Sequence, residues 1–261
     1  MISGKQLRTS IYVLFGLTLF VLVFVFPEFE SRINTTDLTN ALAPISSKNV
    51  LGTDAFGRDI FFRSLFGLRN SLSIALVAGG VTALLGTVLG ISCVVFISKS
   101  IALGMLVICD TLITIPGIFF ALIIALFISQ SIVSIAIVLM FIALPYFVRL
   151  GLMESLRIQT EEYINSALSV GCNRFDLFTI HYLPNVLPSM RPLTIQTILV
   201  SIHIESSLSF FGIGIQPPTP SLGFMIYEAR RYNEAQPSML YFPLLLLFLV
   251  SIILYVNKRH T

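Results

Sequence analysis

Of the chain's 261 residues, 56% are hydrophobic and 11% are charged. Soluble domains carry about 25% charged residues, so a soluble enzyme, a disordered chain and a nucleic-acid-binding module are excluded. The apolar residues come in long unbroken runs rather than alternating segments, which also excludes a β-barrel, and a net charge of +3 implies no anionic partner.

A spanning helix needs about 20 mostly apolar residues. Stretches without charge, or with one, give six: about 10–27, 71–97, 101–128, 131–149, 192–211 and 238–256. The chain reads as an all-α polytopic membrane protein with six transmembrane helices. Residues 1–9 form a short N-terminus carrying Lys5 and Arg8. The first helix, 10–27, reads as an uncleaved anchor, because Ala41-Leu42-Ala43 lies far beyond the apolar run and is followed by Pro44. An extracytoplasmic segment occupies 28–70, five helices occupy 71–256 with a long cytoplasmic loop over 150–191, and 257–261 is a short tail.

Six spans put both termini on one side. With that side cytoplasmic, nine basic residues lie inside (Lys5, Arg8, Lys99, Arg149, Arg157, Arg174, Arg191, Lys258 and Arg259) and seven outside (Arg32, Lys48, Arg58, Arg63, Arg69, Arg230 and Arg231). This small excess favours cytoplasmic termini.

Loops between packed helices usually have about 2–8 residues, so the segment 150–191 needs a reason. Leu156, Tyr163, Ile164, Ala167 and Leu168 fall on one helical face. Gly171 breaks the pattern, Asn173 and Asp176 resemble a helix-start cap, and Phe175, Phe178 and Tyr182 follow at helical spacing. Pro184 and Pro188 are expected to end the unit. By pattern alone this helix–glycine–helix element could equally be an amphipathic hairpin resting on lipid headgroups.

No phosphate-binding G-x-x-x-x-G-K-[ST] loop is present, and no catalytic set stands out. His181, His203 and His260 are scattered, as are Cys93, Cys109 and Cys172. No catalytic residue and no metal site is expected. Gly86 and Gly90 form a GxxxG that permits close helix approach. Two carboxylates sit in apolar spans, Asp110 and Glu205. A charge there costs about 2.5–3.5 kcal/mol on insertion scales and should face protein or water. Each has two readings: a pathway or gating charge, or a structural hydrogen-bonding group. The structural reading is preferred for Glu205 because Ser206, Ser207 and Ser209 supply hydroxyls beside it. Arg58, flanked by Asp54 and Asp59, suggests a local ion pair.

Three stretches carry a family resemblance. Leu51-Gly52-Thr53-Asp54-Ala55-Phe56-Gly57-Arg58-Asp59 resembles an LGTDxxGRD signature, followed by Phe66-Gly67-Leu68-Arg69-Asn70-Ser71-Leu72, similar to YGARxSL. The run from Glu205 to Ser221 is similar to ExxLSFLGLGxQPPTP. In the loop, Asn165-Ser166-Ala167, three residues, Gly171, nine residues and His181-Tyr182-Leu183-Pro184 resemble the permease signature Glu-Ala-Ala…Gly…Ile-x-Leu-Pro, with Asn165, Ser166 and His181 departing from it. On these residues the chain resembles the dipeptide/oligopeptide/nickel permeases of ABC importers, in their second-permease branch.

The resemblance implies a type I ABC importer permease architecture. It implies a heterodimer with a homologous second permease, two cytoplasmic ATPase subunits and an extracytoplasmic substrate-binding protein, all in a bacterial cytoplasmic membrane. ATP would be bound by the partner subunits, and this chain would need no cofactor of its own. The ATPase-coupling residues would be Ala167, Gly171, Phe175, Phe178, Leu183 and Pro184; the extracytoplasmic signature would be Gly52, Thr53, Asp54, Gly57, Arg58 and Asp59. The cargo would be peptides or nickel and metal chelates. The alternatives are a secondary transporter or channel with no ATPase partner, or a membrane enzyme. The scarcity of intramembrane charges opposes the first, and the missing catalytic set opposes the second.

Overall fold

The structure is a computed structural model, described here for residues 33–260. We number its helices α1 (Ile60–Val95), α2 (Lys99–Ile113), α3 (Gly117–Ala125), α4 (Ile132–Gln159), α5 (Glu162–Ser169), α6 (Arg174–Asp176), α7 (Leu183–Phe210), α8 (Leu222–Ala229) and α9 (Ser238–His260). A π-helical turn, Leu177–Tyr182, joins α6 to α7. Among the described residues no strand forms. Four helices are long and apolar enough to cross a membrane: Ile60–Val95, Ile132–Gln159, Arg174–Phe210 and Ser238–Lys258. A fifth span results if Ser100–Ile113 and Gly117–Ala125, bent by 79° at the break between them, count as one. The expected first helix, 10–27, lies outside the described residues.

Each difference from the expected helix limits has a physical cause. α1 begins at Ile60 rather than near 71 because its charges are accommodated. Arg63 is 1% exposed and donates to Ile33 O at 2.9 Å, and the Arg69 guanidinium lies 5.5 Å from the Phe66 ring. Asp59 caps this helix, its Oδ1 accepting from Phe62 N at 3.1 Å. The expected third span breaks at Thr114–Pro116, since proline disfavours helical backbone at Ile115 before it.

Nor do Pro184 and Pro188 end the helix. Arg174–Phe210 runs through them and through Pro192. A proline ring clashes with the carbonyl four residues back and lacks its hydrogen. The π turn immediately before Pro184 widens the helix there, and Asn185 Nδ2 donates to His181 O at 2.6 Å.

The chain divides into two compact units. One, taken from residues up to Ile74, Ser129–Ile135 and Glu205–His260, packs α8 on α9 and centres on Ile60, Ala229 and Met239. The other, Ala75–Ile128 and Ala136–Ile204, holds a larger apolar core that includes Ile91, Phe147, Leu152, Ile164 and Val186. The cysteines Cys93 and Cys109 fill space in that core.

The Gly86–Gly90 pair serves a seam inside this second unit. A Cβ at Gly90 would stand 2.7 Å from Val148 O and 2.8 Å from Leu152 N. The α1 and α4 backbones therefore touch here, and even a methyl group would separate them. Gly80, ten residues earlier on α1, has nothing within 4 Å of its Cβ position. Gly90→Ala is expected to lower the melting temperature of the detergent-solubilised protein, by overpacking worth about 1–3 kcal/mol. Gly80→Ala should leave it unchanged or raise it. Equal melting temperatures for the two variants would show that the seam does not limit stability.

Candidate functional site

The LGTDAFGRD stretch folds as a charge-stapled loop. Gly52 and Gly57 take φ of +78° and +74°, where side chains are strained. Thr53 is buried; its hydroxyl donates to Asn40 O at 2.5 Å and accepts from Ala43 N at 2.8 Å. Asp54 wraps the turn, its Oδ1 accepting from Phe56 N and Arg58 N, both at 2.9 Å. Its Oδ2 takes Arg58 Nε at 2.6 Å and lies 3.5 Å from Arg63 Nε. The expected ion pair of Arg58 is thus with Asp54, whereas Asp59 caps α1 and accepts from Asn49 Nδ2 at 2.9 Å.

A second acid was not visible in the motif: Glu228 of α8 stands 3.7 Å from Arg58 Nη2. Burial raises the Glu228 carboxyl above the ordinary glutamate range, against the pull of Arg58 and Arg63. Two guanidiniums and two carboxylates therefore form a neutral, largely buried cluster. Gln236 Nε2 and Ser238 Oγ close the loop from the other end, both donating to Leu51 O, at 3.0 and 2.5 Å.

Glu205 is fully buried. Its Oε2 accepts from Ser71 Oγ of α1 at 2.6 Å and from Ser206 Oγ at 3.4 Å, and its Oε1 accepts from Ser209 Oγ at 2.9 Å. Ser221 caps α8, its Oγ accepting from Phe224 N at 3.2 Å. Hydrogen bonds to a charged group are worth about 1.5–3 kcal/mol each, enough together to offset the insertion cost of the carboxylate.

Asp110 meets a different partner. It pairs with Arg149 of α4, the two side chains 56% and 42% exposed. Arg149 lies in one of the four long apolar helices and Asp110 in the first limb of the bent α2–α3 pair; in an apolar region such a pair should face protein or water rather than lipid.

In the long loop, α5 ends in a Schellman arrangement: Gly171 N donates to Leu168 O and Cys172 N to Ala167 O, both at 3.0 Å, with Gly171 at φ +90°. Asn173 then starts α6, its Oδ1 accepting from Asp176 N at 2.8 Å. Arg174 ties this unit to the end of α1 by donating to Phe96 O at 3.1 Å. Of the six residues expected to couple, Phe175 is 67% exposed and Pro184 is exposed, while Ala167, Phe178 and Leu183 pack against the core. Val170 and Ile180, which sequence reasoning passed over, are 90% and 62% exposed and join Phe175 on the surface.

Among the described residues no His/Cys/Asp/Glu group is placed to hold a metal ion.

Residues 83–260 match the family described as "Binding-protein-dependent transport system inner membrane component". The glutathione transport system permease protein GsiD of Pectobacterium atrosepticum is 34% identical over 204 residues, 78% of this chain and 67% of that protein. The "Probable D,D-dipeptide transport system permease protein DdpC" of Escherichia coli K12 is 29% identical over 235 residues, 89% of this chain and 78% of that one. In fold, the chain resembles a solved chain of the inward-facing MetNI methionine ABC transporter, at a TM-score of 0.58 and 16% identity, over 77% of this chain and 97% of that one. The chain belongs to the binding-protein-dependent inner-membrane component family. It is a multi-pass membrane permease subunit of a binding-protein-dependent ABC importer.

Two substitutions at Glu205 separate a structural from a pathway role. Glu205→Gln keeps the shape and one acceptor oxygen, and serine hydroxyls can turn to accept from its NH2, so complex yield and transport should stay near normal. Glu205→Ala leaves Ser71 and Ser209 without their acceptor and should lower the yield of assembled permease severalfold, at about 1–3 kcal/mol for each orphaned group. A fully assembled but transport-dead Glu205→Gln would place the charge in the pathway.

Proposed function

We propose that this chain forms half of a translocation path for short peptides, paired with a homologous second permease and driven by two ATPase subunits docked on the 150–191 loop. The observation that carries the docking is the surface made by Val170, Phe175 and Ile180, held out from a unit fixed by the Gly171 turn, the Asn173 cap and the Arg174 tether. An exposed apolar knob on a rigid helical unit fits a groove on a partner. Ala167, Phe178, Leu183 and Pro184 would support that knob from behind. The ATP is bound by those partners, and this chain uses no cofactor.

Peptide cargo is supported by the two relatives, one named for glutathione and the other for a D,D-dipeptide; nickel and metal chelates are the other class the sequence resemblance implies. An extracytoplasmic binding protein would deliver the cargo to the side bearing the Asp54–Arg58–Arg63–Glu228 cluster. A secondary transporter or channel would need no ATPase, so recovery of ATPase subunits with the affinity-purified chain separates the readings.

Gly171→Val is expected to abolish peptide uptake while the protein inserts at normal abundance, because nothing lies within 4 Å of the added Cβ and the strain is confined to the backbone of the turn. Gly171→Asn should retain part of the uptake, since asparagine tolerates positive φ. Normal uptake by the valine variant would remove the loop from the mechanism.

Both termini are proposed to be cytoplasmic. In a chain whose Cys93, Cys109 and Cys172 are alanine, Ile2→Cys and His260→Cys should resist membrane-impermeant thiol reagents in intact cells. Labelling at either position would reverse the orientation.

A further inference from the structure

The break at Thr114–Pro116 does more than shorten a span. It starts a new helix inside the apolar region, and the first turn of that helix, Gly117 and Ile118, lines a half-open cavity of about 330 Å³ within the second unit. The volume lies at the lower end of the range for small-molecule sites, about 300–1,000 Å³. Tyr146 of α4 and Gln196, Thr197 and Ser201 of α7 supply its polar lining. No lining residue carries a formal charge.

Two independent features mark this cavity as built for a ligand. The first is the helix start. Its N-cap is Pro116, which makes no side-chain cap bond. Phe119 N and Phe120 N both turn back to Pro116 O. The amides of Gly117 and Ile118 find no acceptor among the described residues, and they stand at the positive end of the helix dipole.

The second is a pair of hydroxyls. Thr197 and Ser201 are 9% and 3% exposed and one helical turn apart on the same face, both in the cavity wall. Neither hydroxyl has a hydrogen-bond partner among the described residues. Thr194, one turn earlier on the same helix, bonds back to Met190 O at 2.9 Å. Thr197 and Ser201 do not, so both hydroxyls stay free to donate to an acceptor inside the cavity.

We propose that the cavity is a carboxylate station on the transport path: the first amides of α3 and the hydroxyls of Thr197 and Ser201 receive the carboxylate of a short peptide. Discontinuous membrane helices offer their N-termini to anionic groups for the same electrostatic reason. The missing cation is functional. A neutral set of donors orients the carboxylate without holding it as an arginine would, and a transported solute must leave. This assignment rests on the permease reading above and narrows its cargo to solutes with a free carboxylate.

The test uses the assembled importer in lipid nanodiscs, with Val200→Cys as reporter on the exposed lip of the cavity in the three-cysteine-to-alanine chain, and Leu193→Cys as a second reporter. The probes are dialanine and its C-terminal amide. Dialanine should slow thiol labelling at both reporters, and the amide should not. Thr197→Val should raise the dialanine concentration needed for protection about tenfold, the lower end of the worth of a hydrogen bond to a charged group, and Thr197→Ser should restore it. Equal protection by the amide, or protection by neither probe, overturns the assignment. Uptake by cells lacking the chain tells the two levels apart. If peptide import persists without the chain, the permease reading fails and the station with it. If import requires the chain but protection ignores the carboxylate, only the station fails.

Discussion

Hydrocarbon offers no water to a polar group that loses its partner, and that constraint orders the rest of this structure. Within its spans every departure from plain apolar helix has to be answered locally. The buried Glu205 is answered by serine hydroxyls on both sides of the carboxylate. The prolines of the long α6–α7 helix are answered by a π turn that opens the helix just before Pro184. The Gly90 seam answers the same constraint from the packing side. Lipid gives no hydrophobic drive for helix association, so backbones brought to contact distance supply dispersion instead.

The LGTDAFGRD loop and the start of α1 obey a different logic. Asp54, Arg58 and Arg63 carry charges, yet they are nearly as buried as any core residue. A buried charge pair is weak evidence for stability, because desolvation consumes most of the Coulombic gain. What such a cluster does supply is geometric specificity. Asp54 accepts from two backbone amides as well as Arg58, so one carboxylate holds the turn in a single conformation. Glu228 brings α8 to the same point and Gln236 ties in the segment before α9.

The helical class, the chain's family and the helix–glycine–helix unit were legible in the sequence because each rests on local pattern: apolar run length, motif spacing, and a glycine followed by a capping pair. Contacts across the chain were not. Ser206 and Ser209 could be guessed for Glu205, being one and four residues away, but Ser71 is separated from it by 134 residues. A charge-free criterion for spans placed the start of α1 too late, because no local rule reveals that Arg63 finds Asp54 and Ile33 O. Asp54 and Asp59 looked equivalent around Arg58. Only the fold turns one into an ion pair and the other into a helix cap. The cavity left no sequence signal beyond Pro116, since its donors come from stretches about 80 residues apart.

The long helix Arg174–Phe210 joins the proposed parts in one element. Phe175 lies in its first turn and Ser201 is 26 residues further on, roughly 40 Å at helical rise. An ATPase docked on Phe175, as proposed, would thereby be connected to the wall of the cavity without passing through a loop. The connection is not a uniform rod. The π turn and Pro184, Pro188 and Pro192 all fall between the two points, and each proline removes one backbone hydrogen bond. That stretch is the softest part of the helix, and bending concentrates there. Motion of an end docked as proposed would be delivered to Thr197 and Ser201 as a tilt about the proline stretch. A tilt that draws these hydroxyls away from the first turn of α3 separates the two halves of the carboxylate station and frees its occupant.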